Sequence, residues 1–156
     1  MIYTTLNKIR EHDPCEEGWK KLLSSLNKTK ADDDTLSLLT ILDSNGLDDA
    51  LWCLRATEGH DREIRLFGVW CARQVQHLMT DHRSINAIDV AERFANGEAT
   101  NDELYAAWAA SRAASRDASR AAAWDAAWSS AWSSARDAQE KEFRRMLECG
   151  ENYAIR

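Results

Sequence analysis

The most reactive side chains in this sequence belong to its four cysteines and four histidines. Two of them, Cys71 and His77, lie six residues apart in helical sequence, so they are the obvious candidates for a nucleophile and its base. Six residues turn a helix by about 240°, however, which points the two side chains in different directions. We therefore expect Cys71 to be a core thiol and not a nucleophile.

Cysteine, histidine and carboxylate are also the usual metal ligands, but their spacing here does not favour a metal site. Structural zinc sites pair their ligands about two to four residues apart. The three acidic residues 32–34 could hold a cation, yet they fit a solvated loop better, with Asp34 as the cap of the next helix. We expect no metal and no other cofactor. The scattered zinc-ligand candidates are Cys15, Cys53, His60, Cys71 and His77.

Familiar catalytic motifs are missing as well. The chain contains no glycine-rich phosphate loop, no dinucleotide-binding fingerprint, no H-E-x-x-H helix and no G-x-S-x-G turn. This pattern favours a binding protein over an enzyme.

The residues suited to binding are concentrated in an Ala/Trp/Ser/Arg-rich stretch that precedes Gly150. From Trp108 it runs in four-residue words such as AASR, AAAW and DAAW, without any Gly or Pro. Ala is the strongest helix former, so the pattern predicts one helix over residues 101–148. Thr100 and Glu103 form a predicted capping box at its start, and Gly150 marks its end.

One face of this helix carries small residues first and tryptophans later. About 48 residues make a helix of about 70 Å, whereas a compact domain of this size is only about 40 Å across. The helix must therefore bend, project or pair. In the pairing version, two copies lie antiparallel as a homodimer, with alanines against tryptophans. In the other version, the tryptophans cover the body of the same chain. The predicted interaction residues are Ala110, Ala114, Ala121, Trp124, Trp128 and Trp132.

The opposite side of the helix offers an alternative contact. Arg112, Arg116 and Arg120 recur at every fourth position beside Trp108, an arrangement that could follow a phosphate backbone while the indole stacks on a base. The formal net charge of −6 argues against a general nucleic-acid binder. The column is therefore predicted first as a solvated or ion-paired face, and only second as a nucleic-acid contact.

The remainder of the chain predicts a bundle of short helices without strands, and hence an all-α fold. Helical patterns separated by polar or turn-forming segments run through residues 3–95. Two similar phrases, LWCLRA at 51–56 and VWCARQ at 69–74, predict a helical hairpin that turns at Gly59. The predicted core residues are Trp52, Cys53, Ile64, Phe67, Trp70, Cys71, Ile88 and Phe94.

With 156 residues, we expect a single domain that comprises a short-helix body (1–97), the long helix (101–148) and a tail (149–156). No apolar run approaches the roughly 18 residues of a membrane span, and the N-terminus lacks the pattern of a signal peptide. The separated cysteines are expected to stay reduced. These features predict a cytoplasmic protein without membrane contact.

Three phrases in the middle of the chain carry a family resemblance: SNGLDDALWCLRA (44–56), REIRLFGVWCARQVQHLM (62–79) and RSINAIDVAERFANGEAT (83–100). Together with the Ala/Trp/Arg array they resemble a widespread family of uncharacterised Ala/Trp-rich phage and prophage proteins, some of whose relatives are labelled immunity-protein-like. The resemblance implies a small accessory protein in the cytoplasm of an infected or lysogenic bacterium. Such a protein would bind and occlude a host or rival protein, including components of bacterial defence. No catalytic residues follow from it.

Overall fold

The structure is a computed structural model that describes the backbone of residues 1–119 and 128–155, and the side chains of residues 1–115 and 135–155. Helices dominate this part of the chain, which confirms the predicted all-α bundle of short helices with a C-terminal helix. Among the helices described, none combines the length and the apolar character that a membrane crossing requires.

Each of the two halves of the chain contributes four of the described helices. Those of the first half are α1 (Leu6–Arg10), α2 (Glu16–Ser25), α3 (Leu38–Asn45) and α4 (Leu47–Cys53). Those of the second half are α5 (Asp61–Gln74), α6 (His82–Ala95), α7 (Asn101–Ser119) and α8 (Trp128–Cys149). Short 3₁₀ turns follow α4, α5 and α8, at Leu54–Ala56, Gln76–Leu78 and Gly150–Asn152.

Two short strands are an addition to the predicted fold. Strand β1 (Tyr3–Thr4) pairs antiparallel with β2 (Leu36–Ser37), with Tyr3 opposite Ser37 and Thr4 opposite Leu36. Strands of two residues are too short to produce an alternating apolar pattern, which is why the sequence did not indicate them. The ribbon joins the N-terminus to the segment that leads into α3.

The start of α3 also differs from the prediction, because the residues directly before the helix form β2. Ser37, the last residue of β2, caps the helix by accepting a hydrogen bond from the Leu39 N–H at 3.2 Å, so Asp34 as the cap was wrong. Asp34 and Asp32 instead lie 2.7 and 2.6 Å from the Lys28 ammonium. Their hydrogen bonds raise the pKa of Lys28. Lys28 thus offsets part of the negative charge of the acidic loop.

The chain divides into two compact units, of which the first comprises residues 1–60 and 140–153. The C-terminal part of α8 therefore shares a core with the N-terminal helices. Gly150 ends α8 as predicted, with φ at +55°, and a Cβ there would lie 2.6 Å from the Met1 nitrogen. The largest fully buried side chains of this unit are Ile2, Leu6, Ile9, Leu38, Ile41, Phe143, Met146, Leu147 and Tyr153.

The second unit comprises residues 61–139 and 154–156, and in it α6 packs against both α5 and α7. The two phrases predicted to form one hairpin fall in different units, because the division lies after His60. Of the predicted core residues, Cys53, Phe67 and Ile88 are buried. The others are only half-buried: Trp52, Ile64, Trp70, Cys71 and Phe94.

The Ala/Trp-rich segment is helical wherever it is described, at 101–119 and 128–149. Residues 120–127 lie outside the described part. Continuity of the helix from 101 to 148 therefore stays a prediction, as do the domain boundaries drawn from it.

Candidate interaction surface

Helix α7 carries the candidate surface, and its first turn is held by the predicted capping box. The Thr100 hydroxyl accepts a hydrogen bond from the Glu103 N–H at 3.2 Å, and the Glu103 carboxylate accepts one from the Thr100 N–H at 2.8 Å. Hydrogen bonds from Thr100 lower the pKa of Glu103. The carboxylate also lies 3.2 Å from Arg93 of α6. These contacts position the first turn of α7 relative to α6.

The two faces of α7 differ in side-chain size and in exposure. Ala107 and Ala114 are only 6% and 3% exposed, and α7 packs on α6. Tyr105 and Trp108, in contrast, are 70% and 50% exposed. The helix therefore buries small side chains within the chain and presents its large aromatic rings to solvent.

Tyr105, Trp108 and Arg112 form a continuous strip along the exposed face. Spacings of three and four residues place their side chains one above another. The Tyr105 and Trp108 ring centroids are 5.9 Å apart, and the Arg112 guanidinium lies 4.7 Å from the centroid of the Trp108 ring. Aromatic and cation–π contacts of this kind restrict the rotation of all three side chains. These contacts favour the arrangement in which the three side chains form the strip.

A shallow depression of about 430 Å³ adjoins the strip, and Arg65 of α5 contributes to its lining. The guanidinium of Arg65 lies 4.8 Å from the centroid of the Phe94 ring. Tyr105 and Trp108 line the same depression, together with Leu104. We call Arg65, Tyr105, Trp108 and Arg112 together the α7 aromatic surface.

The two arginines of this surface contact rings instead of carboxylates. Among the described side chains, no carboxylate lies within ion-pair distance of Arg65 or Arg112. Between the described residues of the second unit, Arg62, Arg73, Arg83 and Arg93 form ion pairs. The α7 aromatic surface therefore presents two guanidinium groups that can still receive an acidic partner.

Part of the predicted nucleic-acid column is included in this surface. The structure brings Trp108 and Arg112 together through their cation–π contact. The side chain of Arg116 and the whole of Arg120 lie outside the described residues.

The predicted self-pairing seam is described only at its N-terminal end. Ala114 is buried within the chain, and Ala110 is half-buried. A homodimer along the seam stays a prediction. The other residues that were predicted to form the homodimer contact lie outside the described part, either entirely or with their side chains: Ala121, Trp124, Trp128 and Trp132.

Tyr105 is the surface residue that the sequence pattern did not single out. It precedes Trp108 by three residues, a spacing that places two side chains on neighbouring turns of one helix face. The sequence therefore contained the spacing that pairs Tyr105 with Trp108. That this pair is exposed follows only from the burial of Ala107, which shows which face of α7 is turned inward.

The reactive side chains of the described residues remain dispersed. No group of three His, Cys, Asp or Glu residues there could hold a metal ion. Cys71 lies on α5, which ends at Gln74, so His77 belongs to the following turn and is exposed. Burial raises the pKa of the Cys53 thiol to about 12, which keeps it protonated at neutral pH.

Comparisons with protein-family models, with curated proteins and with solved structures found no match to this chain.

The residue types of the α7 aromatic surface are typical of a protein–protein interface. Trp, Tyr and Arg are the three residue types most enriched among those that dominate binding energy at protein interfaces.

Proposed function

We propose that this protein is a non-enzymatic accessory protein that binds and occludes another protein through the α7 aromatic surface. The observation that supports this most directly is the exposed pair of rings, Tyr105 and Trp108, flanked by two guanidinium groups. The resemblance to phage and prophage proteins, some labelled immunity-protein-like, supports a host or rival protein as the target. A protein of a bacterial defence system would be one such target.

The aromatic pair has enough exposed area to anchor a complex. Tyr and Trp each bury on the order of 200 Å² when fully covered. Covering the exposed fractions of Tyr105 and Trp108 would remove about 250 Å² from water, which corresponds to about 6 kcal/mol before the cost of association. The cation–π contact with Arg112 favours one arrangement of Trp108, which lowers the side-chain entropy lost on binding.

The guanidinium groups indicate the chemistry of the partner. Arg65 and Arg112 can each donate two parallel hydrogen bonds to a carboxylate. The complementary surface therefore presents an apolar side chain for the depression, with Asp or Glu residues around it. The net charge of −6 does not prevent this, because charges more than about 8 Å apart are largely screened at physiological salt.

A nucleic acid fits the same surface less well. Binding to a nucleic acid depends on contacts with several phosphates along its backbone. The described part of this surface offers only two guanidinium groups, those of Arg65 and Arg112, and the chain as a whole is acidic. A nucleic acid remains the alternative partner, and it would be contacted by Trp108, Arg112, Arg116 and Arg120. The experiment below distinguishes it from a protein partner.

A quantitative capture experiment tests the proposal. The tagged wild-type protein is compared with a Tyr105→Ser/Trp108→Ser double variant and with a Leu78→Ser control in a lysate of host bacteria. Leu78 is 60% exposed in the same unit, so the control also removes an exposed apolar side chain. Since truncating a hot-spot residue costs about 2 kcal/mol or more, the double variant should retain less than a tenth of the partner protein. The control should retain all of it.

Two results would contradict the proposal. One is a partner that the double variant still captures as well as the wild type, with circular dichroism showing that both proteins are equally helical. The other is capture of nucleic acid alone, with an affinity that falls steeply between about 50 and 200 mM salt.

A further inference from the structure

The first compact unit contains a partly enclosed pocket of about 200 Å³ that the α7 aromatic surface does not involve. Its walls come from three consecutive helices, with Trp19 and Leu22 from α2, Ile41 from α3, and Trp52 from α4. Packed helices usually leave few voids larger than a water molecule. A space of this size between three helices is therefore available to a ligand.

The two tryptophans of this pocket are incompletely covered by the protein. Trp19 and Trp52 are half-buried, whereas Leu22 and Ile41 in the same lining are almost completely buried. Indole is among the largest apolar side-chain groups, and covering it removes a correspondingly large area from water. A molecule in the pocket would thus gain mainly apolar contacts.

Asn45 contributes a polar side chain to the lining, and its hydrogen bonds are used within the protein. Its amide nitrogen donates to the Gly18 carbonyl of α2 at 2.9 Å and to the Asp49 carboxylate of α4 at 2.8 Å. Its amide oxygen accepts from the Ser44 hydroxyl at 2.9 Å. An amide has two donors, so this one connects α2, α3 and α4 around the pocket and keeps no N–H for a ligand.

The charges near the pocket give little advantage to a charged ligand. An anion would meet no basic side chain in the described lining. Asp48 is exposed to solvent, and the Asp49 carboxylate already accepts the hydrogen bond from Asn45. Because ion pairs with solvated carboxylates are weak, a cation would gain little over a neutral molecule of the same shape.

We propose that this pocket binds a small, neutral and largely apolar ring molecule of about eight or nine non-hydrogen atoms. The size follows from the volume, because a protein cavity of about 150 Å³ holds benzene and this pocket is somewhat larger. The ring contacts the Trp19 and Trp52 indoles, and the affinity comes from apolar area removed from water. A more strongly hydrated molecule of the same shape binds less tightly, since it loses its hydration without an equal gain.

Three ring compounds test this in NMR titrations of the isotope-labelled full chain at neutral pH. Indole matches the proposed ligand and should bind with a Kd of about 1 mM or tighter. Benzimidazole has the same shape but a second ring nitrogen that must leave water, so it should bind about tenfold more weakly. N-acetyltryptophanamide represents a tryptophan of a protein partner. Its peptide groups exceed the pocket, and it should also bind about tenfold more weakly.

The indole N–H signals of the tryptophans and a pair of variants locate the binding. The signals of Trp19 and Trp52 should shift with indole, whereas that of Trp70 in the second unit should not. Cys53→Met lengthens a buried side chain of the lining with a flexible one, and it should weaken indole binding by at least about tenfold. Cys149→Met makes the same change in the same unit outside the lining and should have no effect.

Three results would overturn the proposal. The first is that indole shifts neither pocket signal at concentrations up to about 10 mM. The second is that benzimidazole or N-acetyltryptophanamide binds as tightly as indole. The third is that a folded Cys53→Met variant binds indole unchanged. Should that variant not fold, the three compounds on the wild type still decide.

Discussion

At the scale of single residues, Tyr153 shows how a polar group is accommodated in the core of the first unit. It is fully buried, and its hydroxyl donates a hydrogen bond to Glu142 at 2.8 Å. The Arg145 guanidinium lies 4.7 Å from the centroid of the tyrosine ring and also forms an ion pair with Glu142. Each polar group of this trio thus has a partner, which offsets the cost of removing it from water.

Replacing Tyr153 by Phe tests this arrangement. The variant keeps the ring but loses a hydrogen bond to a charged acceptor, so the free energy of unfolding should fall by about 1.5 kcal/mol. Tyr3→Phe is a matched control, because Tyr3 is exposed and its hydroxyl donates a hydrogen bond to the sulfur of Met1. The control should change stability by less than about 0.5 kcal/mol. Urea denaturation measures both, and equal losses in the two variants would show that the hydroxyl of Tyr153 is unimportant.

At the scale of helices, short-range signals predicted the ends of elements, whereas a long-range contact misled the prediction. The capping box of Thr100 and Glu103 and the stop at Gly150 were correct, because each depends on chemistry within a few residues. The cap of α3 is Ser37 and not Asp34, because β2 pairs with a strand more than 30 residues earlier. No local pattern contains that pairing.

Burial was harder to predict than helicity, because it depends on which helices pack together. Trp52 and Trp70 were expected to share one core, but they lie in different units and are half-buried. Trp52 instead lines a pocket of the first unit, together with Trp19 and Leu22 of α2. For α7, the sequence placed Trp108 opposite the alanines correctly, yet only the packing on α6 revealed Tyr105 as its exposed neighbour.

The capping box leads to a prediction for α7. Thr100→Ala removes the hydroxyl that accepts from the Glu103 N–H, and it should lower the free energy of unfolding by about 1 kcal/mol. Thr80→Ala, at an exposed position outside the helices of the same unit, should change it by less than about 0.5 kcal/mol. Urea denaturation followed by circular dichroism compares them. Identical stabilities would mean that the box does not hold the start of α7.

At the scale of the whole molecule, the chain divides into two compact units, and the first joins residues from both ends of the sequence, 1–60 and 140–153. The residues of the α7 aromatic surface all belong to the second unit. The surface proposed to bind a partner is therefore formed by α5 and α7 of one unit alone.

The central claim is that the α7 aromatic surface binds a different protein. Photochemical crosslinking in bacterial cells tests this claim most directly. Tyr105 is replaced by p-benzoylphenylalanine, which keeps an aromatic ring at the exposed position, and Leu78 is replaced in the same way as the control. Irradiation should join the chain to one distinct protein from position 105 and not from position 78. The claim is contradicted if both positions give the same products, if the adduct is destroyed by nuclease, or if its mass is twice 17.7 kDa, the mass of a self-adduct.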